Sequence, residues 1–215
     1  MNVNLFGATG LVGGYLLKEC LANEAVEAVT VFIRKPLPLQ HAKLKQVITD
    51  FDSLATVAHE IKADVIFNCL GTTIKVAGSE AAQYQIDCLY PVKVAQLAAQ
   101  NGVQCMVNVS SVGASLSGNF YLKTKAEMEK GVAEAIGKKA YFLRPSFLVG
   151  ERTDFRFWEK VGIFSFVAIN PLLIGGLKKF RSINAQDVAK AMLTIAIQQP
   201  EGSIFEYENI QQFVD

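Results

Sequence analysis

A short apolar run, Val3 to Phe6, ends in three glycines, Gly7, Gly10 and Gly13, and Leu11 to Leu21 then repeats apolar residues at helical spacing. This opening restricts the chain more than any other stretch of it. Gly7 allows a tight turn, Gly10 lets backbone approach a pyrophosphate, and Gly13 lets the helix pack close to the strand. Free N–H groups of Leu11, Val12 and Gly13 at the helix start then face the phosphates, aided by the helix dipole. Thr9 offers a hydroxyl donor, or a cap for that helix. Strand, glycine turn and helix in this order point to a bound dinucleotide.

The rest of the chain has the alternation such a start requires. Ala28 to Ile33 is a β-branched second strand, and Gln46 to Thr49 a third, ending at Asp50 and Phe51 where an adenine can be touched. Ser53 to Ile61 has a helical pattern. Asp64 to Leu70 is almost continuously apolar, as a parallel strand buried on both faces must be. It ends at Gly71, where a small residue lets a cofactor lie against the strand end. A long helix over Glu80 to Asn101 is followed by a strand over Val103 to Val109, which ends in Ser110 and Ser111. Phe120 to Ile136 is helical, Ala140 to Leu143 a strand, and Gly202 to Tyr207 a final strand. Ser182 to Met192 opens a late helix, with Asn184 or Gln186 as its cap and Ala185, Val188, Ala189 and Met192 as its apolar stripe. Strands alternating with helices predict an α/β fold of Rossmann type: one domain over 1–215 with a doubly wound parallel sheet. Ligands of such sheets bind beyond the carboxyl ends of the strands.

Bulk properties narrow the class. The net charge is +1 with no basic block, which argues against a nucleic-acid partner. Cys20, Cys69, Cys88 and Cys105 have neither metal-like nor redox spacing and are expected as reduced thiols, three of them in apolar surroundings. Met1 leads straight into a strand without a charged region before a long apolar run. This predicts a chain with no secretory leader and a cytoplasmic location. The most membrane-like stretch, 161–177, contains Asn170 and Pro171 and is short for a span. It is expected to wall a pocket or to meet a protein partner. His41 and His59 have no third ligand beside them. No metal site is expected.

Two features bear on chemistry. Arg34 and Lys35 stand about 20 residues beyond Gly13, where an acidic residue would serve a ribose 2′-hydroxyl and an arginine a 2′-phosphate. Two cations and no carboxylate favour NADP over NAD. Tyr121 and Lys125 stand four apart near a helix start and share a face. A free phenol, with a pKa near about 10, is a poor acid–base catalyst at neutral pH. A neighbouring ammonium favours the phenolate and lowers that value. Tyr121 can then protonate a carbonyl oxygen or deprotonate an alcohol. Lys125 binds the nicotinamide ribose in this scheme. Ser111, or less favourably Ser110, holds the substrate oxygen.

The motifs GATGLVG, LGTT, VSSVGA, YLKTK and LRPSFLVGER together resemble a short-chain dehydrogenase/reductase. Within that group they are most similar to the atypical branch that contains the Tat-interacting-protein oxidoreductase family and its small bacterial relatives. The resemblance covers nearly the whole chain. It implies NADP binding by Thr9, Gly10, Leu11 and Val12, with contacts from Arg34, Lys35, Leu70, Tyr121, Lys125, Leu148 and Arg156. Asp87 sits where many relatives carry an asparagine that supports the catalytic lysine.

The leading expectation is therefore an NADP-dependent oxidoreductase acting on a small carbonyl or alcohol. About 151–183 remains to shape the substrate side, with Phe155, Phe157, Trp158, Phe164 and Phe166 completing either the core or a pocket. An NADPH-sensing regulator that acts through a protein partner is the alternative from a different class. Nucleotide-sugar epimerisation is the third reading.

Overall fold

The computed structural model describes residues 1–150 and 173–214. Seven parallel strands form one sheet in the order β3-β2-β1-β4-β5-β6-β9. They are Asn2–Phe6 (β1), Ala28–Ile33 (β2), Leu44–Ile48 (β3), Val65–Asn68 (β4), Met106–Val109 (β5), Ala140–Leu143 (β6) and Ile204–Phe205 (β9). The strand order reverses between β1 and β4. That reversal makes the switch point at which a doubly wound sheet opens a crevice. A separate parallel pair joins Leu148–Val149 (β7) to Ile183–Asn184 (β8). All four residues of β4 are buried, the apolar Val65, Ile66 and Phe67 together with Asn68, whose amide donates to Asn108 at 3.2 Å.

Helices cover both faces. Leu11–Ala22 (α1) and Ala185–Gln198 (α6) share one core with Val3, Leu5, Val29 and Val31. Tyr90–Gln100 (α4) and Phe120–Ile136 (α5) share the other with Phe6, Phe32, Ile66 and Met106. Asn119 caps α5 by accepting the Leu122 N–H, and Gly137 at positive φ ends it. Asn184, not Gln186, caps α6, and the stripe Ala185, Val188, Ala189 and Met192 is buried. Tyr207–Gln212 (α7) closes the chain against α6.

Two helical expectations change. Phe51–Glu60 is a 3-10 segment rather than an α-helix, broken by non-helical backbone at Ser53 and Val57. The expected helix over Glu80–Asn101 is present, but in pieces. After the single turn Ile74–Ala77 (α2), Glu80–Tyr84 (α3) passes through a π-helical turn, Gln85–Leu89, before α4 begins. Within it the Tyr90 N–H reaches back five residues to the Gln85 carbonyl. The cause is Pro91. It lacks the N–H that would bond the Asp87 carbonyl, and its ring crowds that carbonyl. A wider turn at this point relieves the conflict.

Candidate active site

The glycine turn does what its spacing demands. Gly7 has φ +85, and a Cβ there would stand 2.6 Å from the Cys69 carbonyl carbon and oxygen. The turn is therefore pressed against the end of β4. Gly13 is tighter: its Cβ would lie 2.1 Å from the Gly7 carbonyl oxygen. Only hydrogen fits at either place. Gly10 donates its N–H to the Gly7 carbonyl at 2.9 Å and takes the N-cap position of α1 without a side-chain bond. Thr9 does not cap the helix; it is exposed at the crevice lip. Val12 and Gly13 are buried and Leu11 is half-buried.

A cavity of about 410 Å³ opens beside this turn, at the carboxyl ends of β1, β2 and β4. That is the scale of a small-molecule or cofactor site. Gly7, Thr9, Gly10, Arg34, Leu70 and Gly71 line it, all of them singled out in the sequence. Its far wall is apolar and aromatic: Val76, Ile86, Phe51 and Tyr90. The rings of Phe51 and Tyr90 are 5.6 Å apart. The Tyr90 hydroxyl donates to Asp52 at 2.5 Å, and burial together with that bond pushes its pKa up to about 12. Sequence reasoning found Asp50 and Phe51 but not Ile86 or Tyr90, which the π-turn and the start of α4 bring in. Arg34 is exposed at the rim, and among the described residues no carboxylate pairs with it. Lys35 is exposed and outside the lining, and Leu148 is half-buried in β7. Arg156 lies outside the described residues, as does 151–172 of the expected substrate side; Ile174 and Leu177 beyond it are exposed.

Past Gly71 the crevice meets a buried ion pair. Lys125 Nζ stands 2.8 Å from Asp87 Oδ1, with side chains only 4% and 1% exposed. The other Asp87 oxygen accepts the Thr72 N–H at 3.0 Å, and Gln83 donates to the Thr72 carbonyl at the same distance. Burial works against the Lys125 ammonium, but the Asp87 carboxylate, Tyr121 and Glu129 outweigh it and hold its pKa above the ordinary lysine value. The ammonium stands 5.9 Å from the centre of the Tyr121 ring, which is 37% exposed toward solvent. Tyrosine and lysine therefore do meet on one face of α5.

The two serines part company. Ser110 is buried, and its hydroxyl donates to Glu129 at 2.5 Å. Glu129 also takes a fork from Arg144, with Nε at 2.8 Å and Nη2 at 2.5 Å. That network ties β5 and β6 to α5 and engages the Ser110 hydroxyl proton. Ser111 is half-buried, and its hydroxyl donates to the Val112 carbonyl at 3.4 Å. Cys20, Cys88 and Cys105 are buried free thiols; burial pushes Cys20 up to about 12 and Cys105 up to about 11. Among the described residues no cluster of His, Cys, Asp or Glu could hold a metal ion, and no helix is long and apolar enough to cross a membrane.

A family model described as NAD(P)H-binding matches residues 7–162, a span that runs from the glycine turn through the Tyr121–Lys125 helix. The chain belongs to this NAD(P)H-binding family. It is 34% identical over 158 residues to Protein FMP52, mitochondrial, of Saccharomyces cerevisiae, covering 72% of this chain and 68% of that protein. The counterpart in Candida glabrata is 36% identical over 152 residues, and the match spans 70% of this chain and 65% of that protein. Both relatives are named mitochondrial, which overturns the cytoplasmic location expected from the N-terminal sequence. The fold superposes on a UDP-glucose 4-epimerase from Thermotoga maritima with TM-score 0.73 at 15% identity, covering 100% of this chain and 81% of that one. It matches the oxidoreductase ylbE from Lactococcus lactis with TM-score 0.70 at 19% identity, covering 100% and 95%. At such identities these neighbours establish the fold and nothing finer.

Proposed function

We propose that this NAD(P)H-binding protein is an NADP-dependent oxidoreductase of the short-chain dehydrogenase/reductase type, similar in kind to the Tat-interacting-protein branch. The substrate is a small carbonyl or alcohol. The observation that carries the reading is the Tyr121–Lys125 face of α5 meeting the end of the crevice, with the lysine held by Asp87. The cradle fits a dinucleotide: glycine backbone that no Cβ could share, a cavity of about 410 Å³, and an arginine at its rim. Gly7, Thr9, Gly10 and the α1 amides would hold the pyrophosphate, Arg34 a 2′-phosphate, and Leu70, Gly71 and Lys125 the nicotinamide half. The reduced cofactor supplies a hydride when bound.

The chain's own residues supply the rest. Tyr121 gives its phenolic proton to the substrate oxygen, or takes one in reverse. Lys125 presents a fixed positive charge that favours the phenolate as the proton leaves. Ser111 orients the substrate oxygen. Substituting Tyr121 with Phe is expected to lower kcat by about 10²- to 10⁴-fold, with NADPH affinity nearly unchanged. Equal turnover in that variant would sink the mechanism. An NADPH-dependent capture of a protein partner, with no turnover by either form, would instead favour the regulatory reading.

A further inference from the structure

We propose that Asp87 is a positioning residue that fixes both the place and the protonated state of Lys125, so that the ammonium facing Tyr121 belongs to the Asp87–Lys125 pair and not to the lysine alone. This rests on the reading above of Tyr121 and Lys125 as the reacting pair. An ammonium this deeply buried is costly unless a carboxylate meets it, and a lone buried lysine sheds its proton instead. The groups that act on Lys125 can be taken element by element. From its own helix come Tyr121 and Glu129. From the end of β4 comes the Cys69 thiol, and from the π-turn come Asp87 and the Cys88 thiol. Glu129 is already matched by the Arg144 fork and the Ser110 hydroxyl. Burial raises the pKa of both thiols, so they bring no charge. Asp87 remains as the carboxylate in direct contact.

The surroundings hold that carboxylate in place. The π-turn forced by Pro91 carries Asp87 on the buried side of the helix. Its second oxygen is engaged by the Thr72 N–H, and Gln83 fixes the Thr72 carbonyl. Gly71 then lies over the pair: a Cβ there would be 3.3 Å from Asp87 Oδ1 and 3.7 Å from Lys125 Nζ. One carboxylate thus links the crevice lip, the π-turn and the Tyr121 helix. An asparagine at this place could not do the same work, because it carries no charge and has a single acceptor oxygen.

The test follows the ¹⁵Nζ resonance of Lys125 in labelled full-length protein, assigned by its absence in Lys125→Met, between about pH 6 and 10. In the wild type the ammonium form is expected throughout. In Asp87→Asn the apparent pKa is expected to fall by about two units or more, whereas Asp87→Glu retains the ammonium. Turnover by Asp87→Asn then falls as pH rises through the lowered value, an alkaline loss the wild type lacks. An unchanged Lys125 titration in a folded Asp87→Asn protein overturns the proposal. If that variant does not fold, a wild-type Lys125 that becomes an amine below about pH 10 overturns it as well. The resonance does not depend on catalysis. A fully active Tyr121→Phe enzyme would sink the catalytic reading and leave the Asp87–Lys125 result standing.

Discussion

The two ends of the crevice are built from different materials. At the glycine turn the surface is mainly backbone: a glycine at positive φ pressed on Cys69, a second glycine pressed on Gly7, and the start of α1. Past Gly71 it is side chains: Lys125 on Asp87, Asp87 on Thr72, and Tyr121 exposed beyond them. Backbone recognition depends on what is missing, a Cβ, and is fixed by local geometry. Side-chain recognition depends on a charge placed in a dry setting by residues far away in sequence. The first leaves no room for an added atom at Gly7 and Gly13, and the second depends on keeping its charge.

That contrast can be broken from either side. Lys125→Met should have the largest effect. It leaves Asp87 buried without its cation, a kind of loss that costs about 3 to 5 kcal/mol. Urea denaturation should show that loss together with absent turnover, and the double variant Asp87→Asn, Lys125→Met should recover part of the stability. A single variant as stable as the wild type would show that the pair is not a buried pair in solution. Gly13→Ala comes next. Its Cβ would fall 2.1 Å from a carbonyl oxygen of the main chain, which cannot swing aside as a side chain can. We expect a loss of about 3 kcal/mol and weakened dinucleotide binding. Gly10→Ala is the control within the same turn. There the Cβ meets the Gly7 oxygen at 3.2 Å, which a small shift accommodates, so the loss should stay below about 1 kcal/mol. Equal losses at the two glycines would mean that the turn is softer than its geometry implies.

The same contrast explains what could be read from the sequence. The glycine turn was legible because each glycine answers a local backbone need, and spacing along the chain is spacing in space. The near-continuous apolar run of β4 and the capped helix Phe120–Ile136 were legible for similar reasons. The 3-10 segment was not: Leu54, Val57, Ala58 and Ile61 have a helical pattern, and only the backbone at Ser53 and Val57 shows the breaks. The serines illustrate a second limit. Adjacent residues at a strand end face opposite ways, and nothing in the motif tells which one Glu129 claims. Asp87 illustrates a third. Its meeting with Lys125 joins a π-turn to the next helix across a whole strand, so the pointer to Asp87 came from the family resemblance and not from spacing or periodicity.

The last effect we predict concerns Arg34, at the boundary between the two kinds of recognition. It is a side chain at the backbone-built end, exposed, and unpaired with any carboxylate among the described residues. Exposure means that solvent and salt screen whatever charge it meets. Its fork geometry still suits a phosphate better than a hydroxyl. Replacing Arg34 with Ala should weaken NADPH binding by about tenfold, equivalent to about 1.4 kcal/mol. NADH binding should be unchanged, because NADH carries no 2′-phosphate. Fluorescence titrations with both nucleotides at low and high salt separate the causes. If Arg34 reads the phosphate, NADPH affinity in the wild type falls with salt and the variant shows a flatter dependence. If both nucleotides weaken together, Arg34 supports the shape of the loop after β2 and does not read a 2′-phosphate.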